Sequence, residues 1–406
     1  MVVRVGMAKM EGPLSGLRVL DLSRVLAGPF ATMILGDLGA EILKVEMPGT
    51  GDDTRQWGPP FIEGESAYFL SINRNKKSIT LNLKNEKARD IALKLAKVSD
   101  VAIENFTPGV TKRLGLDYEA LKNVNPGIVY CSISGFGQDG PYRDWPSYDI
   151  AMQAMGGFMS ITGEPDRPPV RIGVAVSDMI TGMYATISVL AALRARDETG
   201  RGQHIDISLL DSTISVMTYM AGYYFATGKN PRPAGSSHPT IVPYQAFRCK
   251  DGSYLIVAVG NDRHWELMCK AIAAEHLLAN PKFTHNSDRV QNRRELVPEL
   301  DRIFSSKTRE EWFKLLTGAG VPCGPVYTMS EIFADPQVLH RGMLVEMSHP
   351  KAGKVRLIGN PMKFGETPAQ ISSAPPLLGE STEEVLKRIL SLSEDDIKKL
   401  RAESAI

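Results

Sequence analysis

Cysteine is scarce in this chain: Cys131, Cys249, Cys269 and Cys323 are the only four in 406 residues. They are scattered, without the close pairs of a zinc or redox motif, and read as reduced, mostly buried thiols of a cytoplasmic protein. Net charge is lacking too, since 47 Lys and Arg face 46 Asp and Glu. No overall field therefore draws in nucleic acid or an anionic membrane, and neither is expected as a partner. No apolar run reaches the roughly 18 residues of a spanning helix. Residues 1–10 show neither a signal-peptide apolar region nor an Arg/Ser-rich transit pattern. They are expected to be loosely held, with Met7 and Met10 as alternative starts. No G-x-G-x-x-G follows the first strand-like segment and no Walker A run occurs, which argues against nicotinamide cofactors and nucleoside triphosphates.

What is present is an ordinary globular composition, 43% hydrophobic and 23% charged, long enough for two domains. Residues 17–22 alternate like a strand, Gly28-Pro29 opens a helix to about Leu38, Gly39 closes it, and residues 41–45 form the next strand. Strand, helix, strand implies a parallel sheet. The pattern recurs through helical residues 86–97, strand 101–103, a helix from Pro108 and a buried strand at 128–133. The expected fold is α/β, with a Rossmann-like large domain. Residues 179–194 and 208–225 read as apolar helices, and residues 229–243 as a Gly/Pro/Ser-rich linker. Beyond it, residues 244–259 read as a hairpin turning at Asp251-Gly252. Helices follow at 263–273 and 289–304, then one begun by a Thr308/Glu311 capping box. The expected division is residues 1–228 for the first part of the large domain, 229–334 for a small α+β domain, and 335–406 for a C-terminal return carrying helices at 381–392 and 394–402.

One carboxylate stands out. Asp178 closes the run 173–178 (GVAVSD) at the mouth of the long apolar helix, with no basic neighbour in sequence. It is either a helix N-cap, which the local sequence favours, or a nucleophile held at the helix's positive end.

Ten short segments bear on that choice. They are LSGLRVLD (14–21), RVLAGP (24–29), LGAEILKVE (38–46), GDDTR (51–55), NRNKKS (73–78), ENF (104–106), YD (148–149), GRGQ (200–203), GPV (324–326) and PLLG (376–379). In this order and spacing the chain resembles the family III CoA-transferases, the group of formyl-CoA, carnitine and dicarboxylate CoA-transferases. The resemblance implies a Rossmann-like domain built from both chain ends, a small central domain, and an interlocked homodimer. It makes Asp178 the attacking residue, with Tyr148, Asp149 and Gly235 in support. It places CoA contacts at Arg24, Val25, Ala27, Leu81, Lys84, Asn105, Phe106 and Arg113. Coenzyme A thioester is then a substrate, and neither a permanent cofactor nor a metal is expected. Gly156-Gly157 and Gly260 join Gly235 as candidates for a covering loop, with a simple turn as the bland alternative for each.

The implied reaction moves CoA from an acyl-CoA to a free carboxylic acid without ATP. Asp178 attacks the thioester, giving a mixed anhydride and CoA thiolate, and the thiolate then attacks the aspartyl carbonyl. The helix N-terminus is expected to keep Asp178 ionised.

Departures narrow the substrate. Arg24 and Leu26 stand where formyl-CoA transferase has His and Gln, and Met47 stands where an Arg helps hold CoA. Residues 51–61 and 238–247 look closest to succinyl-CoA:glutarate CoA-transferases, so the expected pair is succinyl-CoA and a dicarboxylate such as glutarate. Arg24 then serves either CoA or the acceptor's distal carboxylate. Two rivals remain. An α-methylacyl-CoA racemase needs a His before the acid, where this chain has Tyr148, and none of its seven histidines precedes His204. A non-catalytic acyl-CoA-binding protein is the rival of another class.

Overall fold

The computed structural model describes residues 12–406, and the expected alternative starts at Met7 and Met10 lie outside them. Contacts divide the described residues into a larger unit, residues 12–158, 171–221 and 336–406, and a smaller one, residues 159–170 and 222–335. The boundaries differ from those expected: residues 159–170, 222–228 and Asp335 join the smaller unit. A hydrogen bond from Gly235 N–H to the Gly163 carbonyl (2.9 Å) helps tie the first of these segments in.

The larger unit is organised by six parallel strands: β1 (Arg18–Asp21), β2 (Glu41–Glu46), β3 (Lys76–Thr80), β4 (Val101–Glu104), β5 (Val129–Ser134) and β6 (His204–Ser208). Their spatial order is β3-β2-β1-β4-β5-β6, that of doubly wound nucleotide-binding sheets. Alternation along each strand feeds two cores. Leu20, Leu43, Ala102 and Tyr130 point to one face, which is covered by α3 (Glu86–Lys97) and by Val385, Leu386 and Ile397 of the two C-terminal helices. Val19, Ile42, Val101, Ile103, Val129 and Cys131 point to the other, covered by α1 (Ala27–Asp37). The short α2 (Ala67–Ile72) lies between β2 and β3 in sequence. After β4 come α4 (Val110–Leu114) and α5 (Tyr118–Val124), and after β5 comes α6 (Asp149–Met155).

The helix that follows, α7 (Val176–Thr199), packs Ala185, Val189, Ala192 and Leu193 into the second core. Its 24 residues make it long and apolar enough to cross a membrane, contrary to the expectation from unbroken apolar runs. Thr181, Gly182 and Thr186 interrupt the run, yet they lie on the helix's buried face. It also starts three residues earlier than its apolar pattern implied, which places Asp178 inside the first turn and not at the cap.

The smaller unit holds the expected hairpin, β7 (Tyr244–Arg248) and β8 (Tyr254–Ala258), extended by β9 (Cys323–Pro325) into an antiparallel sheet. Phe247 stacks on Phe304 at 4.6 Å inside a core that also takes Trp265, Leu296, Leu300 and Trp312. The Thr308/Glu311 capping box forms as expected. All four cysteines are free, and only Cys323 is partly exposed.

Candidate active site

In a doubly wound sheet, ligands bind beyond the carboxyl ends of the strands where the strand order reverses. Here that point lies between β1 and β4. The loop after β1 (Arg24, Val25, Leu26), the loop after β4 (Asn105 to Pro108) and the end of β5 (Ile133 to Gly135) line a cavity of about 250 Å³ there. Asp178 and Tyr148 line the same cavity.

The β1 loop is held in an unfavourable conformation. Val25 has φ +68°, a left-handed backbone that a β-branched residue rarely adopts. Its N–H donates to both carboxylate oxygens of Asp52, at 3.2 and 3.3 Å. Asn105 grips the preceding residue from both sides: its Oδ1 accepts Arg24 N–H (2.9 Å) and its Nδ2 donates to the Arg24 carbonyl (2.7 Å). Below the loop, Lys44 is fully buried and donates to the Ser23 carbonyl (3.1 Å) and to Asp52 (2.8 Å). Burial opposes both charges of this pair. Lys44 nonetheless outweighs it and holds the Asp52 carboxyl below its ordinary range, while Asp52 and Asp21 raise the Lys44 ammonium. Lys76, also buried, donates to the Pro29 carbonyl at 2.8 Å, and burial pushes it down to about 7.

Asp178 is placed by α7, whose N-cap Ala175 has no side-chain cap. The cap comes from another helix. Asp149, the first residue of α6, accepts the backbone N–H groups of Ser177 (2.8 Å) and Asp178 (3.3 Å). Gln153, one turn on and fully buried, donates to Asp149 (2.6 Å) and accepts Ile172 N–H (2.8 Å), fixing the approach to α7. Sequence reasoning missed Gln153, and only its i,i+4 spacing from Asp149 marked it.

Contrary to expectation, the helix terminus does not hold the Asp178 carboxyl in its ordinary range. Burial, and then the Asp149 charge, push its carboxyl up to about 7. Burial is the larger cause, and the Ser177 and Asp178 N–H groups at the terminus are bonded to Asp149. Tyr68 of α2 is a second omission. Burial, followed by the carboxylates of Asp178, Asp149 and Asp52, pushes its phenol up to about 12.

The expected CoA contacts fall into two groups. Arg24, Val25, Ala27, Asn105 and Phe106 line the Asp178 cavity. Leu81 and Lys84 line a second, of about 410 Å³, which shares Arg24, Asp53 and Phe106 with the first. Arg113 lines neither, although Val110 and Leu114 of its helix line the second. Arg143 and Trp145, which sequence reasoning passed over, line the first. Arg24 is exposed and pairs with Asp53 at 3.1 Å. Gly235 belongs to the smaller unit, with φ +60°, and a Cβ there would meet the Glu164 carboxylate at 2.9 Å. Gly156 has a packing role, since a Cβ there would lie 2.4 Å from the Thr213 methyl. Among the described residues no cluster of His, Cys, Asp and Glu has the makings of a metal site.

A parallel α/β sheet with a partly buried carboxylate, its pKa raised, in the cavity at its reversal point defines the class: a doubly wound α/β protein with an ionisable group at its ligand-binding crevice. The family follows from sequence. Residues 14–382 match the profile of CoA-transferase family III, and the chain belongs to that family. It is 45% identical to the succinyl-CoA:glutarate CoA-transferase of Mus musculus, over 97% of this chain and 90% of that one. The succinate–glutarate CoA-transferase of Agrobacterium fabrum is 41% identical, over 94% and 97%. A crystal structure of a CaiB/BaiF family protein from Brucella suis superposes with a TM-score of 0.84 at 42% identity, covering 93% of this chain and all of that one.

Proposed function

We propose that this CoA-transferase takes CoA from succinyl-CoA and gives it to glutarate through covalent intermediates on Asp178. The Asp178 carboxylate attacks the donor carbonyl, and the thioester C–S bond breaks to leave a mixed anhydride and CoA thiolate. The thiolate attacks the aspartyl carbonyl, releasing succinate and leaving an aspartyl-CoA thioester. Glutarate attacks that thioester to form a second anhydride, and the returning thiolate takes the glutaryl group and frees Asp178. Each step is an acyl transfer between a carboxylate and a thiolate, so no ATP enters.

The observation that carries this reading is Asp178 in the reversal-point cavity, with a carboxyl poised near neutrality. Holding thiolate and anhydride together contributes at most about 7–11 kcal/mol through effective molarity, provided water is kept out. The substrate pair draws support from the relatives' activities. Arg24, Val25, Ala27, Asn105 and Phe106 would face CoA near the reacting centre, and Leu81 and Lys84 would face its distal part. Tyr148 and Asp149 would support the nucleophile. The working form would be a homodimer, to which exposed Met183 and Ile187 on α7 offer apolar surface. Four free thiols fit a reducing, cytoplasmic setting.

Purified protein mixed with succinyl-CoA and glutarate should form glutaryl-CoA without ATP, and Asp178→Ala should form none. Hydroxylamine added during turnover should convert Asp178 to its hydroxamate, read by mass spectrometry. Transfer at full rate by Asp178→Ala would end the proposal. Exchange of the α-proton in deuterated water without acyl transfer would establish the racemase in its place.

A further inference from the structure

We infer that the buried Lys44–Asp52 pair is a positioning device for acyl transfer: it holds Val25 in its left-handed conformation and so fixes the cavity-facing segment Arg24–Ala27. The inference deepens the function proposed above and rests on it.

Both partners are shielded from solvent, with side-chain exposures of 0% and 1%, and they border the second cavity from beneath the loop. Each reaches the loop backbone directly, Lys44 at the Ser23 carbonyl and Asp52 at the Val25 N–H. Asp52 is itself immobilised. Its Oδ1 accepts the Thr54 N–H (2.9 Å) and hydroxyl (2.7 Å), and its own N–H donates to Glu46 (2.9 Å). Glu46 is locked in turn by Arg55 Nη2 (2.7 Å) and the Ser78 hydroxyl (2.6 Å). A residue in a sparsely populated backbone region persists only where its surroundings over-determine it. Ser23, Arg24 and Val25 are gripped by the side chains of Lys44, Asn105 and Asp52, and Asp21 accepts the Ser23 N–H as well (2.9 Å).

Burying a lysine and an aspartate is costly, and a well-packed apolar pair often serves stability as well or better. Stability therefore does not account for this pair. Aiming the backbone does: an apolar pair could not accept from the Val25 N–H or donate to the Ser23 carbonyl. The segment so aimed lines the same cavity as Asp178. It also abuts the nucleophile's helix, since a Cβ at Gly182 would lie 2.7 Å from the Ala27 carbonyl.

The test is a double-variant cycle with glycine, the residue that tolerates positive φ without penalty. Asp52→Asn keeps the volume and weakens the grip. We expect it to lower kcat about 10- to 100-fold with a smaller change in KM, and to cost less than about 3-fold further in the Val25→Gly background. Equal losses in both backgrounds would overturn the inference, because a merely structural aspartate does not care which residue stands at position 25. Should Asp52→Asn fail to fold, Thr54→Val removes a single hydroxyl from Asp52 and enters the same cycle, with an expected 3- to 10-fold loss. CoA affinity, measured by calorimetry on the same four proteins, answers independently of turnover, so a chain that binds CoA without transferring it still decides the matter. A crystal structure of Asp52→Asn with Val25 still near φ +68° and the loop unmoved would also count against the inference.

Discussion

Asp178 carries two opposite pH dependences that follow from one cause. Its native carboxyl titrates near 7 against an ordinary 3.8, so between about pH 4 and 7 the native state binds a proton that the unfolded state has lost. Its contribution to stability is complete below pH 4 and is lost as pH rises through 7, by at most about 4 kcal/mol at about 1.4 kcal/mol per unit. Asp178→Asn should therefore melt higher than the parent at pH 8 and alike at pH 4, measured by thermal unfolding. Activity has the reverse sign, because only the ionised carboxylate attacks: kcat/KM should climb to a plateau above pH 7. Asp149→Asn removes the neighbouring charge while its amide oxygen can still accept Ser177 N–H. It should move the acid limb of the kcat/KM profile to lower pH, and an unmoved limb would leave burial as the only cause. Asp178 itself was legible from its place among ordered motifs. Its cap was not, because Asp149 acts across 28 residues and nothing local links the two.

Elements were legible where their signals are local and failed where a partner from elsewhere reset an end. The hairpin at Asp251-Gly252 and the Thr308 capping box formed as read, since a turn and a cap are decided within a few residues. The stretch read as one helix over 289–304 divides into Asn286–Gln291 and Arg293–Phe304. At the break, the Asn292 amide donates to the Asp288 and Lys282 carbonyls, competing with the backbone ladder. The apolar stretch 208–225 also breaks, at Val216-Met217, and Thr218, which opens the second helix, has φ +37°. The contact between α1 and α7 depends on Gly182, where a Cβ would lie 2.7 Å from the Ala27 carbonyl and 3.0 Å from Phe30 Cδ1. Gly182→Val should force these helices apart and lower unfolding stability by about 1–3 kcal/mol in a denaturant titration. It should also lower activity, because Ala27 lies on the cavity wall.

At the scale of the molecule, the proposed homodimer should sediment at twice the 44.5 kDa chain mass, and dilution to a monomer with full activity would remove it from the account. Met183→Glu with Ile187→Glu, placing two charges on the exposed apolar stripe of α7, should shift that equilibrium toward monomer. The sequence by itself determined the alternating strands and intervening helices, hence a parallel sheet, and through its ordered motifs the family and Asp178. Periodicity and turn chemistry are properties of neighbours along the chain, so they survive in a one-dimensional reading. Only the tertiary structure decided that Asp149 caps the Asp178 helix, that Lys44 and Asp52 lie beneath Val25, and that the Asp178 carboxyl rises toward 7. Those outcomes depend on desolvation and on charges brought together from distant positions, and burial exists only once the chain has folded.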